Sequence, residues 1–249
     1  MNGWIAGLLT MVWLLIPAWC HRPAVNKTRS LHEKPEIHGF LRVVEVLNWF
    51  YCAFWHQLRI EGAAPLPESG PAILISNHTC GIDHMLLQAK SRRLLGFMVA
   101  REYYEWPTIH WICRYIGCIA VKRDGRDFGA IRTALRALSA GRVLPIFPEG
   151  HIVPASGERL AEMKPGTAYL AIHARVPVIP AFIYGTPKTD EIVDSLLTPS
   201  RAHVIFGEPI ELSDIGRERA GDKRAQAEVS ERFKKAFLSL QAQALSVRE

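Results

Sequence analysis

The sequence predicts an α/β fold: a central, mostly parallel sheet flanked by helices, preceded by an apolar, membrane-associating helical segment. Three observations lead there. Short apolar runs alternate with stretches of helical periodicity between residues 72 and 206, the pattern of strands covered by helices. The runs are apolar at consecutive positions, as strands buried on both faces are. A Pro/Gly-rich stretch from Glu61 to Pro71 divides this region from a more apolar front. The chain is therefore read as two parts, residues 1–60 and residues 61–249.

In the front part, no residue from Gly3 to Cys20 is charged. A run of about 18 such residues is just long enough to span a bilayer. Arg22, Lys27, Arg29 and Lys34 follow it, which places the globular part on the cytoplasmic side of the membrane. No basic residue precedes the run, and Trp19-Cys20 is a poor cleavage site, so a removed signal peptide fits less well than an anchor. An interfacial helix and an ordinary buried helix are the other readings. Next, from about Phe40 to Arg59, Arg42, Glu45, Asn48, Cys52, His56 and Arg59 recur at helical spacing. The rest of that helix surface is wide and aromatic, with Phe40, Trp49, Phe50, Tyr51, Phe54 and Trp55. Such an arc either lies among lipid headgroups or packs on the domain.

Beyond the linker, the strand-like runs are Ala72–Ser76, Leu94–Ala100, Cys118–Val121, Val143–Phe147, Val178–Tyr184 and Ala202–Phe206. Helical patterns lie between them: about Asp83–Ser91, Glu102–Tyr115, Asp127–Ala140 and Gly166–Ala174. In the third of these, Phe128, Ile131, Leu135 and Leu138 interleave with Arg132 and Arg136, which marks an amphipathic helix. A long charged helix from about Asp222 to Leu245 closes the chain.

Composition narrows the function classes. With 49% hydrophobic and 22% charged residues, most of the 249 residues are globular. A net charge of +6 suits an anionic membrane surface or substrate. No zinc-finger spacing or aromatic-and-basic RNA-binding signature is present, so nucleic acid is not an expected partner. The cysteines, at positions 20, 52, 80, 113 and 118, are odd in number and form no C-x-x-C pair. They suggest neither a disulfide scaffold nor a structural zinc site.

The chemistry concentrates at strand ends. His78 and Asp83 lie in Asn77-His78-Thr79-Cys80-Gly81-Ile82-Asp83-His84, directly after an apolar run. A neutral imidazole there can take a proton from an alcohol while the carboxylate fixes its tautomer and offsets the imidazolium charge. No serine or cysteine nucleophile is needed when the substrate brings its own hydroxyl. An Asp at a helix start also serves as an ordinary cap. Phe147-Pro148-Glu149-Gly150 ends another strand and suits hydroxyl recognition, although an exposed turn reads the same way. Lys122 and Arg123 follow the run Cys118–Val121, where a guanidinium can grip a phosphate or simply be solvated. Lys164 stands just ahead of a helix N-terminus, a place favourable to anions.

These blocks, in this order, resemble the glycerolipid acyltransferase superfamily and, within it, the 1-acylglycerol-3-phosphate acyltransferases. Asn77, His78 and Asp83 match its N-H-x-x-x-x-D motif, and Gly117, Ile119 and Arg123 match G-x-I-x-x-x-R. Phe147–Gly150 match F-P-E-G in full, and Val176–Pro180 match a V-P-I-x-P-like strand. The resemblance covers about residues 60–210. It implies a glycerol-3-phosphate acyltransferase-like fold, membrane association, no metal and no cofactor beyond acyl-CoA or acyl carrier protein as acyl donor. It also implies a catalytic His78–Asp83 pair, with Arg123, Glu149 and Gly150 shaping the site of a lysolipid acceptor.

The chain departs from the pattern in places that bear on the acceptor. The family usually continues F-P-E-G with Thr-Arg, whereas His151 and Ile152 follow here; Cys80 replaces the usual Ser, and Lys122 stands where an acidic residue is common. The missing arginine weighs against lysophosphatidate unless Lys122, Arg123 and Lys164 supply the charge; another lysolipid, such as a lyso-ornithine lipid, is the alternative. Outside this reaction class stand a metal-dependent hydrolase using His78, Asp83 and His84, a thioesterase using Cys80, and a membrane scaffold without activity. The hydrolase lacks a metal-ligand spacing such as H-E-x-x-H.

Overall fold

The computed structural model describes residues 39–61, 65–91, 93–122 and 127–246. The expected membrane span at residues 3–20 and the site residue Arg123 lie outside them. Among the described residues no helix is long and apolar enough to cross a membrane.

In chain order the elements are α1 (Phe40–Phe54), β1 (Arg59–Glu61), β2 (Ala72–Ser76), α2 (Asp83–Gln88), β3 (Met98–Ala100), α3 (Arg101–Tyr104) and α4 (Pro107–Ile116). There follow β4 (Ile119–Val121), α5 (Phe128–Ser139), β5 (Val143–Ile146), α6 (Pro165–Ala174) and β6 (Val178–Tyr184). The last are α7 (Ile192–Leu197), β7 (His203–Phe206), a short 3-10 helix (Arg217–Gly221) and α8 (Lys223–Ser246). The main sheet has strand order β1-β7-β6-β2-β5. β2 runs parallel to both its neighbours and β1 runs parallel to β7; only the β6–β7 pairing is antiparallel. The predicted α/β class, a mostly parallel sheet between helices, is what the chain forms.

Period-two alternation explains why β2 must be apolar throughout. Ile73 and Ile75 point into a core built with Ala134, Ala137, Leu170, Phe233 and Phe237 of α5, α6 and α8. Ala72 and Leu74 point the opposite way, into a second core with Cys52 of α1 and Leu86 and Leu87 of α2. A strand with helices on both faces has no side to give to water.

Several expectations are corrected. The runs Leu94–Ala100 and Cys118–Val121 do not join the main sheet; β3 and β4 pair only with each other, and a single bridge, Leu95 to Val143, touches the main sheet. Both are three residues long and only partly buried, so neither has the two-sided cover of a central strand. Arg142 fills the space between them and the sheet: its guanidinium packs on Gly96 and Gly117 and donates to the carbonyls of Ile116 and Gly117. The helix expected over Glu102–Tyr115 breaks into α3 and α4 because Pro107 cannot donate to the preceding turn; it starts α4 instead. β1 and α7 were not anticipated.

The orientation of α1 is the reverse of a helix packed by its aromatic face. Its inner side carries Leu41, Asn48, Tyr51 and Cys52, whereas Arg42 of the polar stripe is exposed. Cys52 is fully buried, and Asn48 donates to the carbonyl of Met85 at 3.0 Å. Just past the helix, buried His56 is held between Ser200 Oγ at 2.8 Å and Tyr51 Oη at 2.9 Å. Leu47, Trp49, Phe50, Phe54 and Trp55 are exposed, and at the other end Phe40 meets Trp111 of α4 at 5.7 Å between ring centroids.

Candidate active site

β2 and β5 lie side by side and parallel, so their carboxyl ends open at the same edge of the sheet. That edge is where α/β folds build sites. The loop after β2 carries His78 and Asp83, and the loop after β5 carries Phe147–Gly150.

Asn77 makes the exit from β2 possible. Its side-chain amide donates to the Ile183 carbonyl at 2.8 Å and accepts the Ile183 N–H at 2.7 Å. The amide thus imitates one more peptide of β2 against β6, and the backbone can turn away without orphaning a buried group of β6.

The next residues wrap around one carboxylate. Asp83 is fully buried at the start of α2. Its Oδ2 accepts His78 Nδ1–H at 2.9 Å and the backbone N–H groups of Thr79 at 2.5 Å and Cys80 at 3.1 Å. Its Oδ1 accepts the Thr79 hydroxyl at 2.7 Å and the Cys80 thiol at 3.4 Å. A buried carboxylate so fully satisfied is held in one orientation. Because Nδ1 donates to it, the neutral imidazole carries its lone pair on Nε2. His78 keeps 19% of its side chain exposed, so the ring is within reach of a substrate. The ring also stacks on Phe147, centroids 4.1 Å apart and planes 11° off parallel, and the His78 carbonyl accepts Val153 N–H at 2.8 Å. The two loops therefore form one unit.

Glu149 lies in the same corner and is 1% exposed. Neither carboxylate oxygen makes a hydrogen bond of ordinary geometry. Burial is the main reason its pKa rises to about 8; the Asp83 charge adds to the rise, and the backbone N–H groups of Ala161 and His78 oppose it. Gly150 has φ +66, and the side chain of Lys164 crosses it so closely that a Cβ would come within 2.8 Å of Lys164 Cδ, Cε and Nζ. The Lys164 N–H donates to the Pro148 carbonyl at 2.8 Å. His78, Asp83, Glu149, Gly150 and Lys164 are thus brought to one edge of the sheet. Lys122 is exposed at the end of β4 in the smaller sheet, where its N–H donates to Asp127 at 3.0 Å. Arg123 is outside the described residues.

The thioesterase reading loses its footing. Cys80 is fully buried, its thiol donates to Asp83, and burial pushes its pKa far up, so it does not present a thiolate. His84 is exposed and set edge-on to Phe97 at 5.8 Å. Among the described residues no group of three or more His, Cys, Asp or Glu side chains is arranged to hold a metal ion. Sequence reasoning also passed over Thr79, Thr186 and Ser195. Only Thr79 was adjacent to a signal; Thr186 lies in the turn after β6 and Ser195 on α7, both far away in sequence.

Residues 57–184, just over half of the chain, match the family model described as Acyltransferase. Among curated proteins, the chain is 20% identical over 237 residues to an uncharacterized protein of Mycobacterium tuberculosis, covering 78% of this chain and 63% of that one. It thus spans less than two thirds of the length of that relative. It is 27% identical over 194 residues to a 1-acyl-sn-glycerol-3-phosphate acyltransferase of Streptococcus pneumoniae, covering 76% of this chain and 69% of the relative. Among solved structures, the 1-acyl-sn-glycerophosphate acyltransferase PlsC of Thermotoga maritima superposes with TM-score 0.57 at 20% identity, covering 91% of this chain and 88% of its own. At that identity the superposition speaks for the fold.

Proposed function

Because the chain belongs to the acyltransferase family, we propose that it moves a fatty acyl group from acyl-CoA or acyl carrier protein to the free hydroxyl of a lysolipid. 1-Acylglycerol-3-phosphate is the first acceptor proposed, in phospholipid biosynthesis. The observation that carries the reading is the His78–Asp83 hydrogen bond beside the Phe147–Gly150 corner. His78 Nε2 accepts the proton of the acceptor hydroxyl as that oxygen attacks the thioester carbon. The tetrahedral intermediate collapses with loss of the thiolate, which takes the proton back from the imidazolium. Asp83 stabilises the charged ring in between. General-base help of this kind contributes roughly 10²–10⁴ in rate; holding two lipid-like substrates together supplies much of the rest. The step uses no metal and no resident cofactor.

Lys164, laid across Gly150, supports an anionic acceptor, and Lys122 and Arg123 are further candidates. His151 and Ile152 in place of Thr-Arg favour a second acceptor class, a lysolipid with a different headgroup such as lyso-ornithine lipid. The exposed aromatic side of α1, joined through Phe40 to Trp111, supports membrane contact by a front part of residues 1–60. The domain of residues 61–249 then faces the cytoplasm.

The test is direct. Full-length protein is incubated with labelled acyl-CoA or acyl carrier protein and a panel of lysolipids. Acylated lysophosphatidate, or another acylated lysolipid, is expected from the native chain, and none from His78→Ala with an unchanged melting temperature. Undiminished turnover by His78→Ala would refute the mechanism.

A further inference from the structure

The hydrogen bonds around Asp83 continue beyond the loop that carries it. Oδ1 accepts the Thr79 hydroxyl at 2.7 Å, and the Thr79 oxygen accepts the Thr186 hydroxyl at 2.8 Å. Thr79 is 1% exposed and Thr186 5%, so the chain is closed to water. Each hydroxyl has a single proton to give. The Thr79 hydroxyl donates to Asp83, so its oxygen is left to accept, and the Thr186 proton points at it.

Thr186 is placed there by a turn after β6. Gly185 has φ +74, and a Cβ on it would collide with the Arg201 carbonyl, so only glycine lets the chain bend at this point. Farther along the same segment, buried Ser195 accepts the Gly81 N–H at 3.1 Å and donates to the Glu191 carbonyl at 2.8 Å. Residues between β6 and β7 therefore hold the His78–Asp83 loop at two points, the Gly81 N–H and the Thr79 hydroxyl.

We propose that Thr186 is a positioning residue for acyl transfer, acting through Thr79 to orient and polarise Asp83 and, through it, His78. This rests on the reading of His78 and Asp83 as base and orienter. Hydrogen bonds in a row strengthen one another in a site shielded from water. A Thr79 hydroxyl that accepts from Thr186 gives more of its proton to Asp83. Without it Asp83 keeps more negative charge and holds a protonated His78 more tightly. The other titratable groups acting with Asp83 are His78, Cys80, His84 and Glu149, all supplied by the two site loops and α2.

The experiment compares native protein with Thr186→Val, which keeps the shape and loses the hydroxyl, and Thr186→Ser, which keeps the hydroxyl. Acyl transfer is measured against pH, and His78 titration is followed independently by NMR. Thr186→Val is expected to lower kcat roughly 3–10-fold, the size of one lost buried hydrogen bond, with KM for donor and acceptor unchanged. The acid limb of kcat/KM and the NMR titration of His78 should both move to higher pH, and Thr186→Ser should restore both. Native kcat and native His78 titration in Thr186→Val would overturn the proposal. So would equal impairment of the Val and Ser variants, which would make the position one of packing alone. Full activity of His78→Ala would instead overturn the reading of the base itself, and the role of Thr186 with it.

Discussion

Replacing Glu149 with glutamine should make the protein more stable as the pH rises. Glu149 is buried without a hydrogen bond of ordinary geometry, and its pKa stands at about 8 instead of 4.5. Below pH 4.5 the group is protonated in both folded and unfolded chains and contributes no pH dependence. Between 4.5 and 8 the unfolded chain gives up this proton while the folded one keeps it. The folded state then binds more protons, and stability falls with rising pH. Each pKa unit corresponds to about 1.4 kcal/mol, so the full difference is on the order of 5 kcal/mol above pH 8. Glutamine fills the same space and does not titrate. Urea unfolding of both proteins from pH 5 to 9 should show curves that diverge by up to about 1.4 kcal/mol per pH unit between 5 and 8, with the glutamine variant higher at alkaline pH. Parallel curves would show that Glu149 carries an ordinary carboxylate, and the account of an uncompensated buried acid would be wrong.

Two other substitutions test the site loop. Asp83→Asn sets an NH₂ group either at Oδ2, against His78 Nδ1 and the N–H donors of Thr79 and Cys80, or at Oδ1, against the Thr79 hydroxyl and the Cys80 thiol, and in both cases removes the charge opposite His78; turnover should fall at least ~100-fold, with a loss of about 3 kcal/mol in stability on breaking a buried, charge-assisted network, measured by acyl-transfer kinetics and urea melts. Native-like kcat in that variant would remove Asp83 from the mechanism. Asn77→Ala removes both bonds to Ile183 and orphans buried backbone groups of β6; a destabilisation of about 2–3 kcal/mol is expected in urea unfolding, and a change under half of that would mean the strand ends are satisfied by another route.

The parts of the site that were legible in the sequence are local. His78 and Asp83 share one short loop, so their spacing nearly fixes their encounter. Glu149 and Gly150 follow a strand whose apolar run is unmistakable. The fold class was legible for a related reason: β2, β5 and β6 are apolar on consecutive positions because helices cover both their faces. The alternation of runs therefore reports the layers directly.

What the sequence determined by itself was the longer strands and helices and the pairing of residues a few positions apart, because backbone stereochemistry and short loops leave little choice at that range. The tertiary structure alone decided which strands became neighbours, so it alone put the Phe147–Gly150 corner against the His78 ring and left β3 and β4 outside the main sheet. It alone turned α1 so that Asn48, Tyr51 and Cys52 face inward and Leu47, Trp49, Phe50 and Phe54 outward. It also brought Thr186, 107 residues away from Thr79, into the network around Asp83. Contacts at that separation are settled by the packing of the whole sheet and its helices, and no local pattern records them.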